Sequence, residues 1–256
     1  MESKSYKLDA SELGDMIYRY HSKGNNQMPE DVKHRFATYD FCHSYFVRNR
    51  KKLLSSHMEE SCIRLWSFLG SWGMLRGSSQ LIKENSPASL KPVIECIANT
   101  PEEIWNIDVE QYKEKQDELI ELYKSIEKAL IEGSSKKDCD GKPLKTFKPT
   151  CTLITKIMMG VFGIVPAFDT FFCRTFGDMY PQKGFTSYHF GKNALNSIYE
   201  FYKTNKEAID TIKIPVMDFD GKAIPGLYYK KAKLIDMYGF TSGEHSAEKE
   251  KAEKKK

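Results

Sequence analysis

The sequence predicts a mainly all-α protein, a compact multi-helix bundle with at most a small β-hairpin near 214–227. Three observations carry that prediction. Apolar residues recur at helical spacing through most long segments, the two-residue alternation of strands is nearly absent, and capping residues precede several apolar runs. The bundle is expected as one domain over 1–242, with two lobes at about 1–133 and 147–242 as the finer division, followed by a charged, disordered tail at 243–256.

Taken in order, Asp9-Ala10-Ser11-Glu12 is a capping sequence, and Leu13, Met16, Ile17 and Tyr20 follow at helical spacing. Gly24-Asn25-Asn26-Gln27 interrupts the pattern. From Pro29 to about Leu54 a long helical region carries Phe36, Tyr39 and Phe46 on its inner faces, and it ends in Arg48-Asn49-Arg50-Lys51-Lys52. That basic cluster is either a solvated helix end favoured by the helix dipole or a set of phosphate contacts. Between Ser61 and Ser79, the small residues Gly70, Ser71 and Gly73 stand beside Trp66 and Trp72, which implies close backbone approach or an open slot.

Ser89–Ile97 and Glu102–Ile131 read as two further helices, the second an outer one with the apolar stripe Leu119, Leu122, Ile126 and Leu130. A polar loop runs from Gly133 to Lys148. The paired patterns Asp138-Cys139-Asp140-Gly141-Lys142 and Asp218-Phe219-Asp220-Gly221-Lys222 lack the later ligands of a calcium loop, so both are read as tight turns. After an irregular stretch at 175–186, a helix is expected from about Ser187 to Lys203. A last amphipathic helix follows over 228–238, with Leu234, Ile235 and Tyr238 inward and Lys230, Lys231 and Lys233 facing out.

The 256 residues are 40% hydrophobic and 29% charged, an ordinary globular composition with ample material for a core. The net charge of +4 permits nucleic-acid binding without requiring it. The six cysteines form no CxxC pair, so reduced thiols and a cytoplasmic setting are expected. His34, Cys42 and His43 do not share a helix face, and no His-Glu-x-x-His or Gly-rich phosphate loop occurs, so neither a metal nor a cofactor is expected. The most apolar run, 150–173, is broken by Lys156, Pro166 and Asp169, which excludes a membrane span, so no membrane partner is expected. A monomer is expected.

That same run holds the chemistry. Thr150 or Thr152 can cap a helix that continues to about Gly160, with Gly160 and Gly163 forming its exit and Ile154, Ile157, Met158 and Val161 on its buried side. Pro166 forces an extended turn, and Asp169 can cap the next helix ahead of Phe171-Phe172. The helix climbs roughly 10 Å from Lys156 to Gly163, and the following six residues reach roughly 20 Å, so amine and carboxylate can meet. A lysine short of water has an accessible nucleophilic amine, and a neighbouring carboxylate stabilises developing positive charge, a combination suited to attack at a sugar C1′.

Lys156 followed by Pro166-Ala167-Phe168-Asp169 resembles the helix-hairpin-helix superfamily of DNA glycosylases, in particular its 8-oxoguanine-glycosylase-like branch. The resemblance covers about twenty residues, and Phe147-Lys148-Pro149-Thr150 stands where that superfamily carries its glycine-rich hairpin. It implies a two-lobed glycosylase-like bundle acting on double-stranded DNA with a damaged or modified base, in repair or in defence against phage DNA. It further implies Lys156 as the amine that attacks C1′, with abasic-site lyase activity as an extension, and Asp169 as the carboxylate that assists base departure. Trp72, Met74, Phe168 and Phe172 are then the base-pocket candidates, and Arg48, Arg50, Lys51, Arg76 and Lys148 the DNA-backbone contacts. Two other readings stay open: a HEPN-like ribonuclease using Arg50 and His57, and a non-catalytic nucleic-acid-binding helical module.

Overall fold

The computed structural model describes residues 6–22, 32–75, 81, 84–134, 147–181 and 183–254. Among them are eleven α-helices: α1 (Ala10–Ser22), α2 (Ala37–Asn49), α3 (Met58–Ser71), α4 (Lys91–Ala98), α5 (Glu102–Trp105), α6 (Tyr112–Gly133), α7 (Cys151–Phe162), α8 (Thr170–Met179), α9 (Lys192–Thr204), α10 (Lys206–Thr211) and α11 (Lys231–Glu253). Strands β1 (Pro215–Met217) and β2 (Ala223–Tyr228) form one antiparallel hairpin, in which Pro215 pairs with Tyr228 and Met217 with Ala223. The mainly all-α class and the small hairpin are both as predicted. Asp218-Phe219-Asp220-Gly221 turns the hairpin, with Gly221 at φ 79° and the Asp218 carboxylate accepting from the Asp220 and Lys222 N–H groups. The companion pattern at 138–142 lies outside the described residues.

Helix α7 is the centre of the molecule, with ten of its twelve residues buried. It packs against α2, α3 and α6, while α11 lies across both α1 and α8. Buried apolar side chains from Leu13 to Tyr238 join in one contiguous core, to which the described segments before 135 and after 146 both contribute. Gly160 lies inside α7 and does not form its exit as expected. A Cβ there would come within 2.3 Å of the Phe68 ring, so the missing side chain is what lets α3 close onto α7. The exit itself is Gly163, in the left-handed conformation at φ 67°.

Several expected boundaries move. The long helix of 102–131 is divided, because Asp108 starts a new one: its carboxylate accepts from Val109 N–H at 2.7 Å, and Gln111 completes a capping box. Asp108 also accepts from Lys231 N–H at 2.8 Å and Ala232 N–H at 2.9 Å, so one side chain caps α11 as well. The helix expected to end near Tyr238, ahead of a disordered tail, instead continues to Glu253. Gly243 is buried against the Phe171 backbone, and Arg174 pairs with Glu250.

The expected outward orientation of Lys230, Lys231 and Lys233 is corrected at two of the three positions. Lys233 is fully buried, at 0% exposure. Lys230 folds back to donate to the Trp105 and Ile107 carbonyls at 2.5 and 3.1 Å, and burial lowers its pKa to about 8. An amphipathic stripe drawn from sequence has one polar side, whereas α11 is clasped between α1 and α8 and has neighbours on two.

A candidate active site at the amino end of the central helix

The segment joining α7 to α8 has no repeating backbone hydrogen bonds, so its polar groups must find side chains. His43 Nδ1 lies 3.0 Å from the Val161 carbonyl, and Tyr112 OH donates to the Ile164 carbonyl at 2.6 Å. Ala167 N–H donates to Asp236 Oδ1 at 2.8 Å. Phe168 is held at both ends of its backbone: Thr155 Oγ1 accepts its N–H at 2.9 Å and Thr152 Oγ1 donates to its carbonyl at 2.7 Å. These two threonines lie one helical turn or less from Lys156, so the clamp lays the chain along the first turns of α7. Asp169 arrives beside the lysine as a result.

Thr150 caps α7 by accepting from Leu153 N–H at 3.2 Å, and Asp169 caps α8 by accepting from Phe171 and Phe172 N–H at 3.1 and 3.0 Å, as the sequence pattern anticipated. Both α8 cap bonds use Oδ1, and Oδ2 takes no part in them. Burial raises the Asp169 pKa to about 6, the nearby Lys156 ammonium and the two cap N–H groups oppose the rise, and the Asp236 charge adds to it. The carboxylate is therefore mostly ionised at pH 7 yet able to take a proton near neutrality.

Lys156 is 6% exposed and donates from Nζ to the Trp72 carbonyl at 2.6 Å. That carbonyl is available because α3 stops there. Gly73 takes φ 76°, with Met74 N–H reaching back to the Leu69 carbonyl at 2.8 Å and Gly73 N–H to the Gly70 carbonyl at 3.1 Å, a Schellman ending that a side chain at 73 would strain. The indole of Trp72 donates to Thr38 Oγ1 at 3.1 Å and packs among Tyr20, Phe36 and Phe68.

Lys156 and Asp169 both line one open cleft of about 330 Å³, together with Arg35, Phe36, Ser71, Trp72, Gly73, Met74, Thr152, Thr170, Phe171 and Phe240. The volume is at the low end of small-ligand sites and suits a group the size of one nucleobase. Among the described residues of the lining, Arg35 and Lys156 supply positive charge and Asp169 is the one carboxylate, and the amino-terminal ends of α2, α7 and α8 all contribute residues. Helix amino-termini carry partial positive charge, so the mouth favours an anionic ligand while its wall keeps a single negative group.

Of the base-pocket candidates, Trp72 and Met74 line this cleft, whereas Phe168 and Phe172 do not. Both phenylalanines are 0% exposed, within an aromatic stack that includes Phe176 and Phe185. Successive residues of a helix project about 100° apart, so with Phe172 turned inward its neighbour Phe171 reaches the cleft. Phe36 and Phe240 complete the aromatic lining. Trp66 is more exposed than Trp72.

The basic cluster sits elsewhere. Arg48, Arg50 and Lys51 are at the far end of α2, roughly 20 Å along the helix from Phe36. Arg50 is engaged by Glu102, and Arg48 Nε donates to the Ser44 carbonyl at 3.2 Å. His57 Nδ1 lies 2.7 Å from Ser56 Oγ. Lys148 is exposed just ahead of α7, and Arg76 lies outside the described residues. Arg35, which the sequence reading passed over, is the arginine of the cleft lining. In sequence it stands in Lys33-His34-Arg35, a short basic run with no motif to mark it.

Lys233 and Asp236 were missed as well. Their signal was present: two opposite charges three residues apart, each flanked on both sides by apolar residues in Ala232-Lys233-Leu234-Ile235-Asp236-Met237. Among the described residues no group of three or more His, Cys, Asp or Glu side chains could hold a metal ion, and no helix is long and apolar enough to cross a membrane. Comparison with family models, with curated proteins and with solved structures finds no match in any of the three.

Proposed function

We propose that the protein is a DNA glycosylase that removes a damaged or modified base, with Lys156 as the nucleophile and Asp169 as the assisting carboxylate. The observation that carries this reading is the presence of both groups on the wall of one open, nucleobase-sized cleft whose mouth is positive. A nucleotide swung out of the duplex places its base against Trp72, Met74 and Phe171, and its phosphates near Arg35 and the helix amino-termini.

In this mechanism the Lys156 ammonium first gives a proton to solvent in the open cleft, and the Trp72 carbonyl holds one N–H of the resulting amine, leaving the lone pair for C1′. As the glycosidic bond lengthens, Asp169 stabilises the positive charge on the sugar. The lone pair of Nζ forms the new bond to C1′ and the glycosidic electron pair leaves with the base. One proton of the alkylated amine passes to Asp169, whose pKa near 6 lets it accept there and release the proton to the departing base. Opening of the deoxyribose ring then gives the Schiff base on which a lyase step depends.

The ribonuclease reading has less support, because Arg50 is paired with Glu102 and stands at the far end of α2 from the cleft. The test is borohydride trapping of the protein on duplexes carrying an abasic site or one of a panel of modified bases. A covalent adduct is expected with the parent and none with Lys156→Ala. An adduct that survives in Lys156→Ala refutes the assigned nucleophile, and salt-sensitive DNA binding without an adduct or base release marks a binding module instead.

A further inference from the structure

Behind the cleft lies an ion pair that the mechanism does not use. Lys233 Nζ, at 0% exposure, contacts Asp236 Oδ2 at 2.7 Å and donates to Tyr20 OH at 3.0 Å. It also sits over three aromatic faces, those of Tyr20, Tyr39 and Trp72, at 4.5, 4.8 and 4.6 Å from the ring centroids. Burying such a pair brings little or no stability over two apolar side chains of the same size, so stability alone does not account for it.

Its contacts do. The cation lies against the ring of Trp72, whose carbonyl holds Lys156, and Asp236 Oδ1 accepts from Ala167 N–H, two residues before Asp169. The pair therefore touches the supports of both reactive groups from the core side and of neither from the cleft.

We propose that Asp236, its buried charge balanced by Lys233, is a positioning residue that holds the Pro166–Asp169 turn in register with the Trp72 carbonyl, and so sets the separation of Lys156 from Asp169. Asp236 anchors the turn by accepting from Ala167 N–H, and Lys233 offsets the charge of that carboxylate beside the indole. The idea rests on the glycosylase reading for its catalytic consequence, but the register it describes is measurable without any substrate.

The test uses the full chain. Lys233→Met/Asp236→Leu replaces the pair by apolar groups, while Lys233→Met/Asp236→Asn removes both charges and keeps an amide oxygen for Ala167 N–H. Two readouts report register: hydrogen exchange at the Ala167 amide, and the change in the Asp169 titration midpoint, followed by carboxyl-labelled NMR, when Lys156→Met is added. The charged groups acting on that midpoint are Lys156, Asp236 and Lys233, and Arg35 shares the cleft. The Met/Leu variant is expected to melt at or above the parent temperature, to lose ~100-fold of exchange protection at Ala167, and to lose the response of Asp169 to Lys156→Met. The Met/Asn variant is expected to keep both. Borohydride trapping on abasic DNA should fall ~10- to 100-fold in Met/Leu and recover in Met/Asn.

Retention of the 156–169 coupling in Met/Leu overturns the proposal. So does its loss in Met/Asn, which decides the matter alone if Met/Leu does not fold. A parent that traps no DNA, with couplings as expected, removes the glycosylase reading and leaves the positioning role standing.

Discussion

Replacing Asp169 by asparagine should make the protein more stable while abolishing its proposed activity, and the gain should depend on pH. Asparagine caps a helix as well as aspartate does, so the hydrogen bonds to Phe171 and Phe172 survive. What disappears is a charge that burial disfavours. A carboxyl pKa raised from 3.8 to about 6 corresponds, at about 1.4 kcal/mol per pH unit, to a cost of ~3 kcal/mol for the ionised native state, and to about 2 kcal/mol after allowance for its partial exposure.

Because the native state holds the proton more tightly than the unfolded chain, the parent loses stability as pH rises from about 4 through about 6. The variant does not. Urea unfolding at pH 4 should give matching midpoints for the two proteins, and at pH 7.5 the variant should unfold later, by roughly 1 M for an m-value of about 2 kcal/mol/M. Equal midpoints at pH 7.5, or an advantage of the same size at pH 4, would show that Asp169 is not a charge held against its solvation preference, and the argument for its catalytic poise would go with it.

Other consequences are open to direct measurement. Thr155→Val leaves the Phe168 N–H without its acceptor and should cost about 1–3 kcal/mol in chemical denaturation, with a fall in any adduct formation that exceeds the loss of folded protein. Asp108→Ala removes the acceptor of three N–H groups at two helix starts, so calorimetry should register a loss of about 2–4 kcal/mol, larger than a single cap gives. Gly160→Ala drives a methyl into the Phe68 ring and should destabilise by about 1–3 kcal/mol, whereas an unchanged melting temperature would mean that α3 and α7 are less tightly apposed than described. Arg35→Ala should weaken DNA binding evenly across sequences and lower the salt slope by about 1, and no change in slope would remove Arg35 from the phosphate contacts.

The fold class was legible because helix periodicity is a local property. So were the caps: Thr150 and Asp169 occupy the positions that their neighbours imply, and Gly163 ends the helix where it should. The pairing of Lys156 with the Pro166–Asp169 turn was likewise readable, since the reach of six extended residues sufficed to return the chain. Which phenylalanine faces the cleft was not readable. Phe168, Phe171 and Phe172 are alike in composition and nearly adjacent, and the choice among them depends on the rotation of α8 against α11, which no residue in the run records. Arg35 was invisible for a similar reason, because it reaches the cleft only when α2 and α3 lie side by side.

From sequence alone came the helical elements, the lysine within one helix and the aspartate at the start of the next, and the physical possibility that the two converge. Tertiary packing decided that they share a cleft, that Lys156 is fastened to the Trp72 carbonyl, and that a buried Lys233–Asp236 pair stands behind them. The division has one cause. Capping and periodicity are determined by residues within one turn of each other, whereas burial, field and orientation at the site are sums over helices far apart along the chain.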